Sequence, residues 1–119
     1  MNLYKLLLER NEKNNPIKVG LIGAGKFGTM FLSQARTTKG IHIVGIADLK
    51  IEQAKTNCLK AGWVKEQIEA SSYEEALKKK KTFISDDSEG LISITGIEVI
   101  IEATGDPSVG ISHALQCIQ

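Results

Sequence analysis

A short apolar run, Val19-Gly20-Leu21-Ile22, leads without interruption into Gly23-Ala24-Gly25-Lys26-Phe27-Gly28. A helix-like pattern follows it. Gly23 permits a tight turn, Gly25 lets the backbone approach a pyrophosphate with no Cβ in the way, and Gly28 lets a helix pack closely on the strand. The unbonded amides at the helix start, with the positive end of the helix dipole, then suit phosphate oxygens. Glycine-rich turns are common, and the spacing alone says little. The strand before it and the helix after it make it a dinucleotide-binding fingerprint.

The rest of the chain alternates in the way such a turn requires. Ile17 to Ile22 is the first strand, its near-continuous apolar character suiting a parallel strand buried on both faces. Phe27, Met30, Phe31 and Ala35 carry a helix from about 26 to 38, ended by Gly40. Ile41 to Ala47 is a β-branched second strand that stops at Asp48. Asp48 stands twenty positions beyond Gly28, where the fingerprint wants a carboxylate to accept from the ribose hydroxyls. That carboxylate repels a 2′-phosphate, so Asp48 favours NAD over NADP. Lys50, two residues on, offsets part of the repulsion.

Ile51, Ala54, Cys58 and Ala61 predict a helix over 50–61, with Gly62 as its stop and Trp63 anchoring the next loop. Ser72-x-x-Glu75 reads as a capping box opening a helix through Lys79. The run Lys78 to Lys81 then falls at that helix's end, where the dipole favours cations. Without interleaved aromatics it is a solvated helix end rather than a nucleic-acid patch. Residues 82–85 predict a short third strand. Asp86, Asp87 or Ser88 caps a short helix with Leu91 and Ile92. Ile97 to Ala103 is the fourth strand, Thr104 to Pro107 a turn, and a last helix starts at Pro107 or Ser108. The expected fold is α/β, a Rossmann-type doubly wound parallel sheet of strand order 3-2-1-4 that stops after strand four and its helix. Residues 15–119 form this incomplete domain. Residues 1–14 precede it as an amphipathic helix carrying Leu3 to Leu8 and a polar linker.

Bulk properties narrow the partners. At 42% apolar and 24% charged, the 119 residues have the makeup of one globular domain. A net charge of +1 gives no global pull toward nucleic acid or membrane. Leu6-Leu7-Leu8 is too short for a signal peptide or a span, so the expected location is cytoplasmic. Cys58 and Cys117 match no metal or redox spacing and read as reduced packing residues. His42, in mid-strand, reads as structural or exposed rather than catalytic. No metal site, acid–base pair or nucleophile constellation is apparent.

Lys18 to Gly28, Gly45 to Asp48, Val99 to Pro107 and His113-Ala114-Leu115 together resemble the nucleotide-binding domain of homoserine-dehydrogenase-like oxidoreductases. They are also similar to glucose-fructose-oxidoreductase-type enzymes and, more narrowly, to predicted homoserine dehydrogenases carrying a SAF-type domain. The resemblance implies that Gly23, Ala24, Gly25, Lys26, Phe27 and Gly28 surround the pyrophosphate. It puts Asp48 on the adenosine ribose, and Ala103, Thr104 and Gly105 near the nicotinamide-side ribose. It gives His113 a packing role. It also implies a further strand, then a substrate and oligomerisation domain, beyond Gln119. The chain is therefore expected to be the cofactor part of a longer NAD(P)-dependent oxidoreductase, a homo-oligomer acting on a small molecule, and inactive as it stands. An S-adenosylmethionine site would carry a GxGxG-like loop, and a flavin site a glutamate at the end of strand two. The alternative from another class is a non-catalytic NAD(H) sensor, for which the Leu3–Leu8 helix is the only candidate interaction element.

Overall fold

Ile17–Ile22 (β1) is the central rail of a four-stranded parallel sheet. The computed structural model describes residues 2–103. Thr104, Gly105, the helix expected from Pro107 or Ser108, His113 and Cys117 lie outside the described residues. On one side β1 pairs with Ile41–Ala47 (β2), from Ile17 opposite Ile41 to Ile22 opposite Ala47. On the other it pairs with Val99–Glu102 (β4), from Val19 opposite Val99. Phe83–Ser85 (β3) lies along the outer side of β2. The order is β3-β2-β1-β4, the Rossmann-like arrangement that the alternating pattern predicts.

Among the described residues are five α-helices, one ahead of the sheet and four between its strands: Leu3–Glu12 (α1), then Lys26–Ala35 (α2), Ile51–Lys60 (α3), Tyr73–Lys79 (α4) and Ser88–Ile92 (α5). The larger core gathers Ile17, Val19 and Leu21 of β1 with Leu7 of α1, Leu32 of α2 and Ala54 and Cys58 of α3. A smaller cluster under α4 holds Val44, Ala70 and Ala76, flanked by Tyr73 and Phe83, whose rings meet edge to face at 4.8 Å. Helices thus cover both faces, which is why β1 and β2 read as continuous apolar runs. Cys58 is fully buried, and burial pushes its thiol up to about 11, as suits an inert packing residue.

Boundaries shift where side chains compete with the backbone. The helix expected over 26–38 ends at Ala35. The Thr37 and Thr38 hydroxyls both donate to the Gln34 carbonyl, and this local bonding takes the place of another helical turn. The Ser72 side chain accepts from the Glu75 amide as the capping box predicts, but Glu75 turns its carboxylate to the Ser71 hydroxyl. Asp87 is the cap of α5, accepting from Gly90 N. Residues 65–68, unassigned by pattern, form a 3-10 turn. The regular part of β4 is shorter than 97–103, yet ladder bonds from Glu98 N to Lys18 O and from Ala103 N to Ile22 O extend it at both ends.

Leu91 of α5 is fully buried above a flat spot on the sheet made by two glycines. A Cβ on Gly20 would stand 3.1 Å from its side chain, and one on Gly45 only 2.7 Å from its Cδ1. Leu91→Ala leaves that spot unfilled on two strands and is expected to lower the unfolding free energy in urea by about 2–5 kcal/mol.

His42 is buried on β2, its Nε2 donating 2.7 Å to the Lys81 carbonyl. Burial chiefly, opposed by that bond and helped by the charges of Lys18 and Lys80, lowers its pKa below the ordinary 6.5. The folded state therefore binds fewer protons at this ring than the unfolded state. The stability it contributes is complete above a pH of about 6.5 and falls as the pH drops through that value. In urea titrations below this pH, His42→Gln is expected to flatten that part of the decline.

Candidate functional site

The glycine turn follows β1 at its carboxyl end. Gly23 has φ +88°, the left-handed region that favours glycine. Its amide donates to Ala47 O at 2.7 Å, extending the β1–β2 ladder by one rung. Gly25 then caps α2 with no side-chain hydrogen bond, so the first turn of a ten-residue helix has no side-chain cap. A Cβ on Gly25 would meet nothing within 4 Å, so the space in front of it is open. A Cβ on Gly28 would lie 2.5 Å from the Gly23 carbonyl oxygen, a clash that explains the glycine. Lys26 and Phe27 form the first turn of α2.

Between them Ala24 is held through the peptide groups on both its sides. Its amide donates to Asp48 Oδ2 at 2.8 Å. Its carbonyl accepts from Asn57 Nδ2 on α3 and from the Thr29 hydroxyl on α2. Gln53 Nε2 donates to Asn57 Oδ1, which fixes the amide with its nitrogen toward Ala24. Asp48 Oδ1 meanwhile accepts from Lys50 N at 2.9 Å, an Asx turn that starts α3 in place of a side-chain cap. One carboxylate thus ties the β1–α2 turn to the β2–α3 turn, and each of its oxygens keeps a further lone pair.

In front of these turns a cleft of about 620 Å³ runs across the carboxyl ends of the strands. Ile22, Ala47 and Glu102 mark the ends of β1, β2 and β4 in its wall, and Asp86 lies just after β3. Ala103 sits beside Ile22 through its ladder bond. Leu49, 91% exposed, and Ile92, 56% exposed, give the rim two apolar side chains. Among the described side chains the lining carries the carboxylates of Asp48, Asp86 and Glu102 and the ammonium of Lys50. Among the described residues no group of three or more His, Cys, Asp or Glu is arranged to hold a metal ion.

The structure therefore gathers Gly23, Ala24, Gly25, Lys26, Phe27, Gly28, Asp48 and Ala103 at one end of the sheet, while Thr104 and Gly105 lie outside the described residues. Sequence pattern passed over Asn57, because the stripe Ile51-Ala54-Cys58-Ala61 absorbed the helix. The available signal was an amide-bearing residue on the turn of α3 that carries Cys58. Trp63, in contrast, does anchor its loop: its Nε1 donates to Leu32 O at 3.0 Å, away from the cleft.

Parallel order, glycine turn and cleft at the strand ends define a Rossmann-like α/β domain, its cleft lying where such sheets carry their crevice. Neither a protein-family model nor a curated protein matches this sequence. No helix among the described residues is long and apolar enough to cross a membrane.

Removing the Asp48 carboxylate strips the acceptor from two backbone amides, and Asp48→Ala is expected to cost about 1–3 kcal/mol in urea denaturation. Asn57→Ala leaves Thr29 as the remaining side-chain donor to Ala24 O and is expected to cost about 1 kcal/mol. Unchanged stability in both would remove the Ala24 clamp from the account of this site.

Proposed function

We propose that this domain binds NAD and is the cofactor part of an oxidoreductase. The observation that carries the reading is the joining of the glycine turn to Asp48 at the mouth of the strand-end cleft. Open amides at the start of α2 receive the pyrophosphate, and Gly25 lets it come close. Asp48 accepts from the adenosine ribose with the lone pairs that Ala24 N and Lys50 N leave over. Leu49 and Ile92 offer apolar contact to the adenine end. Ala103, with Thr104 and Gly105 after it in sequence, leads toward the nicotinamide-side ribose. The excess of carboxylates in the cleft supports NAD over NADP, with NADP the weaker ligand.

When bound, NAD supplies hydride transfer at nicotinamide C4 to or from a carbon bearing a hydroxyl or carbonyl. The residues described here hold and orient it. The homoserine-dehydrogenase-like resemblance supports a small hydroxy or carbonyl substrate, held by residues outside this domain, in a cytoplasmic homo-oligomer. On that reading the 119 residues bind cofactor without turnover. The sensor reading draws on the Leu3–Leu8 helix. That helix buries Leu7 in the core with Leu6 packed against it, leaving Leu3 and Tyr4 outward for a partner.

Calorimetry with NADH and NADPH, read beside the fluorescence of the reduced nicotinamide, tests the proposal. Saturable NADH binding is expected, with NADPH at least about tenfold weaker, a difference of about 1.4 kcal/mol. Asp48→Ala should weaken NADH by a similar factor and narrow the gap between the two. No saturable binding of either dinucleotide would sink the reading, and tighter NADPH binding would overturn the role given to Asp48.

A further inference from the structure

A second cavity, of about 430 Å³, lies at the opposite pole of the sheet, beside the amino-terminal end of β2. Arg36, Lys39 and Lys80 line it, and no aspartate or glutamate does. In a chain of fifteen basic and fourteen acidic residues, three cations without an acid are a local departure. None of the three forms an ion pair with a described residue.

The surrounding structure holds two of these groups, Arg36 and Lys80, in place. The Arg36 side chain lies across Gly62, where an added Cβ would stand 2.7 Å from its Nε. Lys80 takes the left-handed conformation at the end of α4, φ +55°, and its ammonium donates to Asn14 Oδ1. Asn14 is itself left-handed, φ +53°. These are the two described non-glycine residues with positive φ, and both line this cavity. His42 also lines it, at 7% exposure. Its Nε2 is used by Lys81 O, and its Nδ1 is not sealed away, since no fully buried side-chain nitrogen or oxygen among the described residues lacks a partner. The Trp63 ring, fixed by Leu32 O, adds an apolar wall.

Cations near helix ends also answer the helix dipole, and that accounts for each of the three singly. It does not account for their gathering around one acid-free hollow with a buried imidazole. Two of the carbonyls at the end of α2 that would face an anion there already accept, Gln34 O from Thr37 and Thr38 and Leu32 O from Trp63. The volume falls in the range of small-molecule sites.

We propose that this pole is a binding site for a small phosphate-bearing anion, distinct from the strand-end cleft, with Arg36, Lys39 and Lys80 supplying the charge and Trp63 the wall. The proposal stands independently of the dinucleotide reading.

Titration of the chain with inorganic pyrophosphate at about 0.15 M salt tests it, followed by Trp63 fluorescence and by the ring resonances of His42. Both signals are expected to change together and saturate. Arg36→Gln with Lys80→Gly should weaken the interaction at least about tenfold. Glycine keeps the left-handed turn at residue 80 while removing the charge. Lys78→Gln with Lys79→Gln, outside the cavity, should leave the affinity unchanged. Saturating NADH should not displace pyrophosphate from the Trp63 signal. Absence of saturation, equal weakening by the Lys78 and Lys79 pair, or competition by NADH would each overturn the proposal. If NADH itself does not bind, the pyrophosphate titration and its variants still decide this site.

Discussion

The candidate site depends on the backbone of Ala24. Asp48 takes its amide, while Asn57 and Thr29 donate to its carbonyl. The two peptide groups that flank Ala24 are thus each held at one end, Gly23–Ala24 by its donor and Ala24–Gly25 by its acceptor, and the residues after them inherit that direction. Gly25 therefore starts α2 facing open space, and the helix's first amides point where no side chain caps them. An anion site made of backbone needs this restraint, because amide dipoles attract only when they are aimed in advance.

Much of this architecture was legible in the residues. The two-fold alternation of apolar strands with amphipathic helices gave the strand order, because parallel pairs need crossovers and crossovers have one hand. The glycine tasks at Gly23 and Gly28 follow from steric rules that hold in any context. Less legible were features set by tertiary contact. Asn57 carries no local signature, since its partner is thirty-three positions away in sequence. The end of α2 at Ala35 turned on hydroxyl groups bonding one carbonyl, a choice that propensity does not resolve. The structural role of Asp48, as acceptor for Ala24 N and Lys50 N, was hidden for the same reason: its carboxylate reads identically whether it meets a ribose or an amide.

The two poles of the sheet divide the electrostatics. Carboxylates outnumber ammonium groups around the cleft at the carboxyl ends, whereas cations alone line the hollow at the other pole. A near-neutral net charge conceals this separation, since composition sums over a molecule whose ends differ in sign. β2 reaches both, with His42 near one pole and Ala47 at the other.

Leu91 joins the cleft to the interior. It follows the Asp87 cap by four residues and precedes Ile92 on the rim, while its own side chain rests on Gly20 and Gly45. The width of the cleft on that side is thus written in two residues that never touch a ligand. A methyl group added to either strand would lift Leu91 and carry Ile92 outward with it. Two bare positions in the middle of the sheet act as the gauge for an opening at its edge.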